Sequence, residues 1–268
     1  MLRRTAVIAA ICLLISVVAS ADEFSASPPD ASRNAWNIRL GAGAVVRPTF
    51  EGSDRSSLQA IPFVHITYRN TINLDYTGLS AAWRHGPLRL GAGLTFNLGR
   101  PDSRESGFFG TRGDDRLRGM GDIESALGLK AFASYRLGIV NLKTSLTKFT
   151  ASGNHGVVAD IGMELPYRLS DRLTVTPHTS LVWADLQHMQ TFFGVTSAQA
   201  ASSNFRQYNP GAGLNALKIG VDAHYRLTGR WFVSLRSDLQ QLVGDAADSP
   251  VSFSDTGMTA ALVLGYQF

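Results

Sequence analysis

The residues with the most obvious chemistry in this 268-residue sequence are His178, Ser180 and Asp160. His178 and Ser180 stand two apart, so in an extended segment they share one face. A serine, a histidine and a carboxylate in mutual hydrogen-bond reach would make an acyl-transfer site. Asp160 would have to join them from a neighbouring strand. Sharing a face is a weak signal, because every second residue of a strand does so. Other chemistry is thinner still. No His, Cys and carboxylate spacing matches a metal site. Gly41-Ala42-Gly43 lies within a strand pattern and opens no helix, so it does not cradle a phosphate. The sequence predicts no enzyme, and no catalytic, cofactor-binding or metal-binding residue.

What remains is a set of charges at alternate positions: Arg39, Lys130, Asp160, Glu164, Asp222, Arg226, Arg236 and Asp238. Each faces away from an apolar row on the same segment. Trp36, Ile38, Leu40, Ala42, Ala44 and Val46 oppose Arg39. Leu127, Leu129, Ala131, Ala133, Tyr135 and Leu137 oppose Lys130. Ile219, Val221, Ala223, Tyr225 and Leu227 oppose Asp222 and Arg226. The closing stretch, Asp255–Phe268, carries Met258, Ala260, Leu262, Leu264, Tyr266 and Phe268 on one face. Period-two spacing is the mark of strands, and an apolar face against a charged one fits a barrel wall between lipid and a polar lumen.

The connections support that layout. Arg69-Asn70, Leu169–Asp171 and Thr228-Gly229 are short turns; Gly99–Gly121, Asp185–Gly211 and Val243–Ser254 are long loops. Outer-membrane barrels show this asymmetry, with short periplasmic turns and long external loops. Aromatic residues such as Trp36, Tyr68, Trp83, Tyr135 and Trp231 gather at strand ends, as girdles do. The predicted fold is all-β, an antiparallel transmembrane β-barrel over 36–268. The apolar phase slips at Thr77-Gly78. Splitting Thr71–His85 there gives twelve strands; ten remain if that region does not span. No helix of useful length is expected outside the leader.

Composition agrees. Charged residues make up 17% of the chain, against about 25% in typical soluble domains. Mean hydropathy is +0.01, as alternating strands would average. Residues 1–21 read as a signal peptide, with Arg3 and Arg4 before an apolar run and small residues at Ala19 and Ala21. The single cysteine, Cys12, lies in that leader. Residues 22–35, with Pro28 and Pro29, are expected to be a flexible segment. No basic run argues for nucleic acid.

Two loops carry motifs. One is Arg47-Pro48-Thr49-Phe50-Glu51-Gly52-Ser53-Asp54; the other runs from Ala184-Asp185 to Met189-Gln190-Thr191-Phe192-Phe193-Gly194-Val195. Read by themselves, Pro48 and Gly52 fix a turn in which Glu51 and Asp54 cap backbone amides. Phe192 and Phe193 fold into the lumen as a plug. With the glycine-alternating first strand and the aromatic last one, these segments resemble the MipA/OmpV family of Gram-negative outer-membrane proteins. His188 stands where that family has tyrosine, and Phe192 stands at another tyrosine place. The resemblance implies an outer-membrane barrel that acts as a scaffold for peptidoglycan-remodelling enzymes, a lytic transglycosylase and a peptidoglycan synthase among them. It also implies contact with outer-membrane lipid and with the outer-membrane assembly machinery, for which Tyr266 and Phe268 would be the signal. The alternative is a small-solute channel through a narrow charged lumen, with room left by glycines at 41, 43, 91, 93, 162 and 220.

Overall fold

The computed structural model describes residues 35–103, 113–150 and 155–268. The leader (1–21) and all but Ala35 of the segment 22–35 lie outside the described residues. The rest is a single closed antiparallel sheet. Its strands are β1 (Trp36–Pro48), β2 (Ser56–Tyr68), β3 (Ile72–Asp75), β4 (Gly78–His85), β5 (Leu88–Asn97) and β6 (Ala126–Leu137). They continue with β7 (Val140–Thr150), β8 (Val157–Glu164), β9 (Tyr167–Arg168), β10 (Leu173–Ala184), β11 (Gly213–Arg226), β12 (Trp231–Leu242) and β13 (Thr256–Gln267). β8 and β9 are one crossing interrupted at Leu165-Pro166, where proline has no amide to donate; Leu165 still donates to the Pro177 carbonyl. The barrel therefore has twelve strands. β13 closes on β1, with Leu40 opposite Tyr266 and Val46 opposite Ala260.

The split at Gly78 is real and its cause is local. Asp75 accepts hydrogen bonds from the Thr77 amide at 2.7 Å and from the Thr77 hydroxyl at 2.6 Å. That turn ends β3 after four residues. Gly78 follows with φ +138°, and a Cβ there would overlap the Leu94 carbonyl of β5.

The outward faces are apolar and uncovered. Leu58 is 72% exposed, Ile161 66% and Met258 54%. A soluble protein would not leave such a band in water; acyl chains solvate it. Among the described residues no helix is long and apolar enough to cross a membrane, so the crossing is made by strands. Both strand termini, Trp36 and Gln267, sit at the short-turn end, which is the periplasmic end.

One expectation fails. The stretch Asp185–Gly211 is not an unstructured loop but holds α1 (Leu186–Phe193) and α2 (Ser197–Ser202). Asp185 caps α1 by accepting the His188 amide at 2.8 Å. Thr196 and Gln199 form a reciprocal capping box on α2. Both helices are too short for periodicity to reveal them, but S/T-x-x-Q is a readable start signal. β11 also begins at Gly213, ahead of the apolar row that starts at Ile219.

Candidate functional site

Side chains fill parts of the lumen at two levels, with a cavity between them. The upper closure is built by the long loops. α1 packs Met189 and Phe193 against Val182, Ala184, Ala216 and Leu242, and both are essentially buried. The Phe193 carbonyl accepts from Ser249 Oγ at 2.5 Å. A second apolar cluster joins Phe50, Leu117, Met120, Val195 and Val251 from four separate loops. Burying side chains of this size is worth about 1.5–3 kcal/mol each, enough to hold the loops over the mouth.

The first loop motif belongs to this cap. Pro48 ends β1. Gly52 has φ +91°, and its carbonyl accepts from Phe253 at 2.7 Å and Ser254 at 2.9 Å. The expected capping by Glu51 and Asp54 does not occur. Glu51 accepts from the Gln240 side chain and Asp54 from Arg116. Ser53 supplies the local turn instead, accepting the Arg55 amide at 3.1 Å. The reason is long-range: Arg116 arrives from the loop after β5 and also binds buried Asp114 at 3.0 Å. Burial would raise the Asp114 carboxyl, but hydrogen bonds from Arg116 and Thr49 hold it below the usual carboxylate range.

The second motif has Asp185 as helix cap, Met189 and Phe193 in the core, and Gly194 ending α1. Phe192 faces the cavity. His188 packs its ring on Phe192 at 4.6 Å and donates from Nδ1 to the His155 carbonyl at 2.8 Å. Burial pushes the pKa of both histidines down. Arg100, also in the cap, is lowered by burial to about 10 and stays charged; it donates to the Phe192 carbonyl at 2.7 Å.

The lower closure is aromatic. Phe63 and Phe232 meet edge to face with ring centroids 5.8 Å apart, and Val263 joins them. All three point inward from β2, β12 and β13. Glycine makes the room for Phe232: Gly265 lies opposite it in the ladder, and a Cβ there would overlap the ring, while Gly41 lies opposite Phe63. The signal was present as large residues on the small-residue face, beside inward glycines.

Most of the predicted lumen charges form two groups, and the first, around Arg236 and Asp238, lines the cavity. Arg236 binds Asp238 at 2.8 Å and lies 3.6 Å from Asp222; His178 bonds Asp238 at 2.8 Å. Glu164 pairs with Lys143 at 2.5 Å and accepts from Asn141 at 3.1 Å. Lys143 and Asn141 were not anticipated as partners. Such pairing is what buried charges require. Lys130 and Asp160 line the cavity. Arg39 is buried, and its Nε has no hydrogen-bond partner. Arg226 lies apart, at the periplasmic end, donating to the Asp171 carbonyl. The hydrolase geometry is not formed. Ser180 Oγ makes no hydrogen bond, and His178 is committed to Asp238. Among the described residues no group of three potential metal ligands exists.

The cavity itself holds about 370 Å³. Its roof is Phe50 and Phe192, its floor Phe63 and Val263. A separate space of about 10 Å³ lies beside His178 and Asp222.

The periplasmic rim is strongly basic. Arg69, Arg84, Arg136, Arg168, Arg172 and Arg230 are exposed in or beside the short turns, and among the described residues the carboxylate side chain beside them is Asp171. Aromatic side chains stand between them. Trp36 packs on Tyr68 at 4.6 Å, and Trp231, Tyr266 and Phe268 form an edge-to-face series. Phe268 is 68% exposed and its amide donates to the Ile38 carbonyl at 2.9 Å.

Comparison with known proteins fits this architecture. The family model described as MltA-interacting protein MipA matches residues 40–268. The MltA-interacting protein of Escherichia coli K12 is 27% identical over 147 residues, covering 54% of this chain and 58% of that protein. The Shigella flexneri protein of the same name matches to the same extent. The chain thus spans under two thirds of the curated relatives it matches. Solved structures that resemble it include the NanC porin, at TM-score 0.42 and 10% identity, covering 87% of this chain and all of that one. Another is a loop-deleted OmpT of Vibrio cholerae, at TM-score 0.38 and 6% identity, covering 87% and 98%. With the family match extending from β1 to the last residue, this chain belongs to the MltA-interacting protein MipA family and is a β-barrel of the outer membrane.

Proposed function

We propose that the protein is a non-enzymatic scaffold that docks a lytic transglycosylase, and through it peptidoglycan synthesis, at its periplasmic rim. The observation that carries this reading is the charge of that rim: among the described residues, six exposed arginines against one side-chain carboxylate, Asp171. Such a surface complements an acidic patch on a periplasmic enzyme, and steers its approach. The name of the Escherichia coli relative, MltA-interacting protein, points to the same class of partner. The aromatic cluster inside the barrel supports the reading too, because Phe63 and Phe232 narrow the bore that solute flow would need. The assembly role of Tyr266 and Phe268 belongs to this proposal as well.

The test is capture from envelope extract on the intact protein in nanodiscs. The expected result is retention of a lytic transglycosylase, weakened by salt and reduced at least tenfold when Arg69, Arg136, Arg168 and Arg172 become glutamine. Recovery of no murein enzyme, or recovery indifferent to the four arginines, would overturn the proposal.

A further inference from the structure

Among the described residues the barrel wall is incomplete on one side. β2 has thirteen residues and β3 has four. Their pairing runs from Tyr68 opposite Ile72 to Ile66 opposite Leu74, and stops. Above that point Ser56–His65 has β1 on one side and, among the described residues, no strand on the other. That is roughly 30 Å of strand edge at about 3.3 Å per residue. The far side of the gap is the end of β5, where Thr95 lies opposite Gly78 and only Phe96 and Asn97 continue. The sill is the Tyr76-Thr77 turn.

Proline marks the same edge. Pro62 sits mid-strand in β2, a place from which two-sided ladders exclude proline because a donor is lost. The other mid-strand proline, Pro177, lies where its neighbour strand breaks at Leu165-Pro166.

The cavity reaches this gap. Ile61 and Phe63 line it from the inward face of β2; Pro62 and Phe96 line it from outward faces. Successive residues of a strand point to opposite sides of a wall. A space lined by successive residues of β2 and of β5 lies at the strand edges that border the gap. Pro62 lies well below the top of β2 at Ser56, so the passage is lateral.

The lining also has a charge preference. Arg47, Arg100, Lys130, Lys218 and Arg236 face Glu51, Asp160, Asp238 and Asp255. Of these cations, Arg236 is held by carboxylates. Arg47 donates to Gln59, and Arg100 to a carbonyl. No salt bridge reaches Lys130 or Lys218 among the described residues. The passage is apolar at Ile61, Phe63 and Phe96, and cationic further in.

We propose that this notch is a lateral portal through which a fatty acid passes between the membrane and the capped cavity. Its carboxylate is held by Lys130 and Lys218, and its single acyl chain lies over Ile61, Phe63 and Phe96. The cavity volume is within the range of pockets that take one small ligand. The proposal stands independently of the scaffold reading, since it concerns the wall and not the rim.

The experiment uses the whole protein in phosphatidylcholine nanodiscs with 11-(dansylamino)undecanoic acid as probe. Expected are saturable fluorescence enhancement, displacement by oleate, and at least tenfold weaker displacement by methyl oleate. Lys130→Gln with Lys218→Gln weakens probe binding at least tenfold while the barrel keeps its heat-modifiable mobility. A second measurement leaves the lysines intact. A nitroxide on Ile61→Cys, in a Cys12→Ser background, collides with oxygen as a lipid-facing site does, and one on inward Ser180→Cys does not. Absence of saturable binding, equal displacement by acid and ester, or an Ile61 label as shielded as that at Ser180 would overturn the portal.

Discussion

Phe232 occupies the space that Gly265 leaves empty: the two lie opposite each other in the β12–β13 ladder, and a Cβ on Gly265 would overlap the Phe232 ring. The ring can then reach Phe63 past β13 and β1. Gly265→Val should therefore destabilise the barrel by about 1–3 kcal/mol, the usual cost of overpacking. Phe232→Ala should cost about 3–5 kcal/mol. Denaturant unfolding of the lipid-reconstituted protein measures both. A neutral Gly265→Val would mean that the ring moves freely.

The cap should loosen in acid. Burial holds His155 and His188 below the ordinary histidine pKa, with the carboxylates of Glu51 and Asp185 opposing at His188. Their unfolded value is about 6.5. Between that value and the lower folded one, the open cap binds more protons than the docked cap. Docking free energy therefore falls as pH drops below about 6.5. Hydrogen exchange over Leu186–Phe193 should quicken between pH 7 and pH 5. His188→Tyr, which restores the residue the family pattern places there, should reduce that dependence. Exchange that is flat with pH in the unsubstituted protein would refute it.

A second cap contact works at lower pH. Asp114 is 1% exposed and held by Arg116, Arg55 and Thr49. Its folded pKa is below the unfolded carboxylate value of about 3.9. Its contribution is present above that value and is lost as pH falls through the folded pKa. Asp114→Asn should remove it at every pH and raise protease nicking of the loop after β5 at pH 7. Nicking at the unsubstituted rate would show that the Arg116 cluster does not hold the loop.

Phe268 tests the seam. Its ring is exposed while its amide extends the β1–β13 ladder. Phe268→Ala keeps that amide, so it should slow assembly into the membrane while changing folded stability by less than about 1 kcal/mol, as exposed substitutions do. Unimpaired assembly would count against the signal role.

Much of this architecture was legible in the sequence. The row Met258–Phe268 and its counterparts gave the outward face, and the phase slip at Thr77-Gly78 gave the twelfth strand. Local alternation suffices for both, because lipid imposes a strict period of two. The helices α1 and α2 escaped, since eight and six residues are too few for a 3.6-residue period. The partners of Glu51 and Asp54 escaped for another reason. Gln240 and Arg116 are distant in sequence, and loop docking has no period. The wall gap was visible only as the question whether Thr71–His85 spans, because β2 runs on for ten residues beyond its pairing with the four-residue β3.

The most direct test of the account is planar-bilayer recording. A scaffold barrel capped by α1 and filled by Phe63 and Phe232 should show no steady conductance above background. Phe63→Ala with Phe232→Ala, and α1 removed by deleting Leu186–Phe193, should open a steady pore. Ohmic conductance from the unsubstituted protein would contradict the closed-lumen account and favour a solute channel.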